Sequence, residues 1–548
     1  MSISLAARTA ALALVAAVGL SACGGSSTST STSAASTTAS TAAPTGGASL
    51  IEARVKDAIV MDPAQATDGM SLNLSQEILK GLVDFKLGTF DVQPAIARSW
   101  SVSPDGRVWT FALKPGLKFS DGTPVDAAAV KFNFDRWRLV SDPYHGNLSF
   151  GYYASMFGGF PGLIADVRAP KPDTVVISIA RPFSPFLHDL AMPSFAISSP
   201  TAIRANADSY GQPGTPPVGW GPYTLAEWVK DDHMTLRANP DYPGTPAYGT
   251  VVVRDIPDQS TSVLEMQKGT VDILTDPRPD DAAALAKQAG LTVAYQPANN
   301  NSYVAFNMDR KPFDDLRVRR AMAYAIDVNA IVKGLYPKGA MVASNWTPPG
   351  MLGENASLKP YPHDVAKAKA LLAAAGFPKG FSTELFYPTL PRPYMPEPQR
   401  IAETIQAQLA QAGVAVTLQP FEWAVFLDKV RHGEHPMCLI GWSGDNGDPD
   451  NFFVPLLDKD TANAKPNGQN YSFWRDEAFH QLLMSGQAAV GDAKRAPFYR
   501  QANARIADQV PALPIVHVAV PIVLKNTIAG FVPSPDTHIA FEFLKPKK

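Results

Sequence analysis

Residues 97–136 read ARSWSVSPDGRVWTFALKPGLKFSDGTPVDAAAVKFNFDR, and two kinds of local structure follow one another in that stretch. Trp109, Phe111 and Leu113 alternate with Thr110 and Ala112, and Trp100 lies beyond the turn Pro104-Asp105-Gly106, the pattern of a β-hairpin. A second turn, Asp121-Gly122-Thr123-Pro124, leads into a helix. Asp126 stands where a carboxylate caps the first free amides, and Val125 and Val130 have the spacing of a hydrophobic staple. Upstream, 59–61 reads as a strand and 74–82 as a helix. Downstream, strands at 234–237, 251–256, 414–419, 437–442 and 515–523 alternate with helices at 261–268, 316–331, 365–375 and 399–412. That alternation indicates an α/β protein, with the Gly/Pro-rich segment 211–222 marking a return or boundary.

At 548 residues the chain exceeds one ordinary core and calls for two or three units. Its 48 basic and 50 acidic residues leave a net charge of -2, which gives no basic face for nucleic acid. Near the N-terminus, Arg8 precedes an apolar stretch at 10–20, too short to span a bilayer and fitting a signal-peptide core. It ends in Leu20-Ser21-Ala22-Cys23, which resembles the bacterial lipobox; an ordinary cleavage site with an incidental cysteine is the alternative. The resemblance implies removal of residues 1–22, lipidation of Cys23 and a membrane anchor. The Ser/Thr/Ala-rich tract 23–48 cannot bury enough apolar surface to fold and serves as a tether. Cys438, inside the apolar run Met437-Cys438-Leu439-Ile440, is the one cysteine left in the body, so no internal disulfide can form and a buried hydrophobe is expected.

Several motifs in one order make the chain recognisable. Trp100-Ser101-Val102-Ser103, Trp109-Thr110-Phe111 and Lys118-Phe119-Ser120-Asp121-Gly122-Thr123-Pro124 resemble the signature of the bacterial extracellular solute-binding proteins, family 5, which serve peptide and nickel ABC importers. Further matches are Gly219-Trp220-Gly221-Pro222-Tyr223, Phe306-Asn307, Asp314-Asp315-Leu316-Arg317-Val318-Arg319 and Asp364-Val365-Ala366-Lys367-Ala368-Lys369. The segment from Gly441-Trp442-Ser443-Gly444-Asp445 to Phe453, with Arg392-Pro393-Tyr394 and Asn470-Tyr471-Ser472, is most similar to the dipeptide-binding branch. The resemblance implies a two-lobed periplasmic-binding-protein fold of type II, with a subdomain inserted in the first lobe and a cleft between the lobes. On this reading the first lobe is 49–297 with its insert at about 84–218, the second is 298–515, and 516–548 returns to the first. It further implies a monomer without cofactor or metal, lipid-anchored in the periplasm or on the outer face of the cytoplasmic membrane. Its partners would be a short peptide and the permease subunits with their ATPases.

A zwitterionic dipeptide entering a dry cleft needs one fixed anion and one fixed cation, because each stripped charge is costly unless paired. Asp445 follows an apolar strand through Ser443-Gly444, where ligands commonly meet α/β sheets, and in the resembling family this aspartate binds the peptide amino group. A carboxylate that only stabilises its own turn is the alternative. Arg392, on a loop stiffened by Pro388, Pro391 and Pro393, offers a planar fork of donors, and the resemblance assigns it the ligand carboxylate. The alternative is a solvated surface arginine. Gly441, Trp442 and Ser443 are expected along the peptide as backbone or wall contacts, with Trp442 equally suited to the core. Longer oligopeptides, glutathione or a murein peptide, haem and a nickel chelate stand as other ligands within the family. A secreted hydrolase is the remote reading: Gly441-Trp442-Ser443-Gly444-Asp445 departs from a nucleophile elbow at its last position, and Asp445, Asp448 and Asp450 lack the spacing and closing glutamate of a calcium loop.

Overall fold

The computed structural model describes residues 48–466 and 468–547; the expected signal segment, Cys23 and the expected tether up to Gly47 lie outside the described residues. Two large sheets organise the chain. The first has seven strands, in the order Leu291–Gln296, Val520–Lys525, Ile273–Thr275, Ala48–Arg54, Tyr248–Asp255, His233–Ala238 and Tyr223–Val229. The second has six, in the order Met341–Val342, Ala512–His517, Asn300–Phe306, Met437–Ser443, Phe381–Pro388 and Val414–Phe421. Alternation along the strands sends successive side chains to opposite faces. In the second sheet Val304, Phe306, Leu385 and Leu439 enter one core, while Tyr303, Ala305, Phe386 and Ile440 enter another. The sheet is therefore covered on both sides, as central strands this apolar require.

A four-stranded antiparallel sheet, Ala97–Val102, Val108–Leu113, Thr174–Ile179 and Ile164–Lys171, forms a third body with its own core around Phe111, Phe134 and Trp137. The expected hairpin forms, with Trp100 opposite Phe111, and Asp126 accepts from Ala129 N at 2.9 Å to cap the helix Ala127–Arg138. This body is inserted between strands of the first sheet, which gives the two-lobed fold with an inserted subdomain. One buried pair ties the insert down: Arg136 Nη2 donates to Asp62 Oδ2 at 2.7 Å, with both side chains about 1% exposed.

The chain passes between the large sheets twice, after Gln296 and after His517. Asn300 joins the two passages, donating to Val518 O at 2.8 Å and accepting from Val518 N at 2.9 Å. The single strand expected at 515–523 is two strands in different sheets, since Val516 still pairs with Ser302 while Val520 pairs with Gln296. The second passage thus falls just beyond Ile515. Residues 59–61 are not a strand: the amides of Ile59 and Val60 go to Ser71 Oγ, not to a neighbouring strand. The strand is instead Ala48–Arg54, paired with Tyr248–Asp255. Residues 316–331 form two helices, Leu316–Ala325 and Val328–Leu335, because Asp327 caps the second. Cys438 is fully buried and free. Among the described residues no helix is long and apolar enough to cross a membrane.

Arg136→Ala leaves Asp62 a buried carboxylate without its guanidinium, and such losses cost ~3–5 kcal/mol. A fall of that size in the free energy of urea unfolding is expected, against little change for a substitution at the exposed Val140.

Candidate ligand-binding site

Three neighbouring strands of the second sheet run parallel: Val414–Phe421 beside Phe381–Pro388, and Phe381–Pro388 beside Met437–Ser443. Their C-terminal ends therefore open at one edge of the sheet, the usual position for ligands in α/β folds. The loop after the middle strand carries Arg392, the loop after the outer strand leads to Trp423, and the loop after Met437–Ser443 carries Asp445. Both predicted charges thus come to the same end of one sheet, on adjacent strands.

Asp445 is fixed on both oxygens. Asn451 Nδ2 donates to Oδ2 at 3.1 Å, and Tyr152 OH donates to Oδ1 at 2.9 Å from the inserted subdomain across the cleft. The same Asn451 receives the Asp445 amide and the Trp442 indole N–H on its Oδ1, both at 3.0 Å. Burial raises the Asp445 carboxyl to about 6, with the two hydrogen bonds pulling against it. Trp442 is half-buried at the margin of a core cluster, so it serves both as packing and as wall. Ser443 is exposed.

Arg392 lies with its guanidinium 3.6 Å from the centre of the Trp423 ring, a cation–π stack that leaves the edge of the fork free. Its Nε is buried with no hydrogen-bond partner among the described residues. Burial pulls its pKa down, with Tyr394 and Glu422 pulling the other way. The loop reaches the neighbouring strand through Tyr394: a Cβ added at Gly441 would lie 2.3 Å from the Tyr394 ring and 2.2 Å from Asn301 O. Only glycine permits that approach.

Between the two charges the strand edge is open. Met437–Ser443 pairs with Asn300–Phe306 along its whole length, but with Phe381–Pro388 only at Met437 and Cys438. Gly441, Trp442 and Ser443 therefore have no ladder partner on that side, and an extended chain can add there as a further strand. The loop beyond is braced by the first passage between the sheets: Asn299 Nδ2 donates to Gly444 O and Gly444 N donates to Asn299 O, each at 2.7 Å. Gly447 meets the insert, where an added Cβ would fall 2.1 Å from Phe90 Cγ.

Sequence reasoning missed Tyr152, Trp423, Asn299 and Phe90. Each sits far along the chain from the motif it serves, and none has a spacing signal. Asn451 was within the quoted motif, where only its role as a clamp went unread.

Comparison with known proteins follows the same lines. Residues 91–464 match the family described as bacterial extracellular solute-binding proteins, family 5 Middle. The chain is 36% identical over 490 residues to the dipeptide-binding protein of Escherichia coli (strain K12), covering 86% of this chain and 90% of that protein. It is 33% identical to heme-binding protein A of Haemophilus influenzae, with coverage of 90% and 91%. Among solved structures it is similar to the ABC transporter-associated periplasmic binding protein DppA from Helicobacter pylori in complex with the peptide STSA. That match has a TM-score of 0.79 and 32% identity, over 92% of this chain and 98% of that one.

The Asp445 carboxyl should titrate near pH 6 when followed by carbon NMR of labelled protein. Tyr152 OH holds the titration down, so Tyr152→Phe should move the midpoint upward; a midpoint near the ordinary 4 in both proteins would show Asp445 solvated.

Proposed function

The chain belongs to the bacterial extracellular solute-binding proteins of family 5, and on that premise we propose that it is the substrate-binding lipoprotein of an ABC importer, capturing dipeptides between its lobes and delivering them to the membrane permease. Members of this family are solute-binding proteins, and the relatives named above bind dipeptide, haem or a tetrapeptide by their descriptions. On this reading the first lobe comprises 48–297, with the insert, and the segment after 517; the second comprises 298–517. Acylated Cys23 tethers the body at the outer face of the cytoplasmic membrane or in the periplasm.

One observation carries the ligand assignment: an anion and a cation at the ends of adjacent parallel strands, with an unpaired strand edge between them. The peptide ammonium is assigned to Asp445, the carboxylate to Arg392, and the peptide backbone to the edge at Gly441, Trp442 and Ser443. A dipeptide covers ~7 Å, so the gap between the two charged groups acts as the ruler for ligand length. A tetrapeptide such as STSA covers ~14 Å before any contact is counted. It is kept as a second reading because a relative holds one. Recognition through backbone groups reads no side-chain identity, so many dipeptide sequences should bind.

Isothermal titration with dipeptides, tetrapeptides and haemin tests this. Dipeptides should bind tightest. Arg392→Ala and Asp445→Asn should each cost ~2–5 kcal/mol, a loss of thirtyfold or more, and N-acetylation of the dipeptide should weaken binding to the parent protein likewise. Unchanged affinity in Arg392→Ala would overturn the carboxylate assignment.

A further inference from the structure

The lobes also touch away from the strand edge. Ser184 N donates to Gln487 O at 2.8 Å and Ser184 Oγ to Ala489 O, from the insert to the end of the helix Glu477–Ala488. Beside this contact Asp189, on the insert helix Phe186–Leu190, accepts from Asn446 Nδ2 of the second lobe at 2.6 Å. Asp189 is 1% exposed, and its Oδ2 is shut from water with no partner among the described residues.

The charges around it do not balance. Asp448 and Asp450 face Asp189 from the second lobe, and all three are buried. The nearby cation, Arg495, is already committed: its Nη1 lies 2.7 Å from Asp448 Oδ2 and its Nη2 donates to Asp448 Oδ1 at 2.8 Å. His188, on the Asp189 helix, is half-buried near Asp448, and desolvation lowers its pKa, so it brings little charge near neutrality. An ionised Asp189 would thus sit dry with one amide donor and no countercharge, the costly arrangement.

We propose that Asp189 enters the closed interface as the neutral acid, so that closing the lobes takes up one proton at a contact separate from the peptide site. In an open molecule the same carboxyl regains water and ionises at its ordinary value. Burial, with Asp448 and Asp450, raises it well above that value when closed, against the Asn446 hydrogen bond and Arg495. A group whose pKa is higher in the closed form favours closure as pH falls, so the closing constant should drop about tenfold per pH unit above the open value of ~4. Asp450, at about 7, is held by Gln487 and Tyr499 of its own lobe, and its Asn variant separates its titration from that of Asp189. Asp445, at about 6, is mostly ionised at 6.5 and fully so at 8.5.

Two measurements on the full chain test this. Small-angle X-ray scattering of the protein without ligand should show a larger closed fraction at pH 6.5 than at 8.5. Asp189→Asn, which keeps an acceptor for Asn446, should stay closed at both. Asp445→Asn and Asp450→Asn should keep the pH dependence. No dependence in the parent, or an unaltered one in Asp189→Asn, overturns the proposal. The second measurement rests on the dipeptide reading: titration with Met-Leu at pH 7.5, in buffers of different ionisation enthalpy, should show more proton uptake in the parent than in Asp189→Asn, the ligand's own amine contributing the same fraction to both. Equal uptake in the two proteins overturns the proposal. Failure of Met-Leu to bind at all would strike the dipeptide reading, leaving the scattering result to decide the proton.

Discussion

Parallel pairing of Phe381–Pro388 with both of its neighbours is the constraint on which the site depends. Strands that run the same way must end on the same edge, so whatever follows them is gathered there without further design. The loops that follow are short and individually braced. Asn451 clamps Asp445, Trp423 lies under the guanidinium of Arg392, and Tyr394 presses the arginine loop against Gly441. Bracing matters because the entropy of fixing long side chains is then met on folding, not on binding.

Motion and recognition share the same few residues. The two passages between the lobes are joined at Asn300, and its neighbour Asn299 holds Gly444 by one backbone and one side-chain hydrogen bond. A change at the passages therefore acts directly on the loop that carries Asp445. The facing jaw is the inserted subdomain: Phe90, Tyr152, Ser184 and Asp189 all belong to it. Its anchor to the first lobe, Arg136 with Asp62, is correspondingly dry, since a loose insert would transmit nothing.

Much of this was legible in the sequence, for identifiable reasons. The hairpin around Trp109, the cap at Asp126 and the strand carrying Cys438 are local patterns, and local patterns survive into the structure. Arg392 and Asp445 were singled out through the family resemblance, and the structure brings both to the same end of the second sheet. What failed was non-local. The run 515–523 looks continuous because both of its strands are apolar; only pairing with Ser302 on one side and Gln296 on the other divides it. The 59–61 segment has strand composition, but Ser71 takes its amides. Tyr152 and Asp189 became partners of Asp445 and Asn446 only through folding, across separations that no spacing rule spans.

Asp445 and Asp189 both lie at the interface between the lobes, and their surroundings set different remedies. Asp445 lies at the end of an open strand edge with a half-exposed wall beside it. A carboxyl held near 6 in place of 3.8 carries roughly 3 kcal/mol of unrelieved desolvation in its ionised form. Its oxygens already have donors from Tyr152 and Asn451, so a further neutral donor adds little; what is missing is positive charge. A cation that reaches it recovers the stored cost, and an ammonium at the end of an extended chain has the shape to do so. Asp189 has no such access. It is sealed by Asn446, with Arg495 committed to Asp448, and the smallest cation is the one that fits. On the readings proposed here, the same physics, a carboxylate deprived of water, selects a ligand at one point of the interface and a proton at the other.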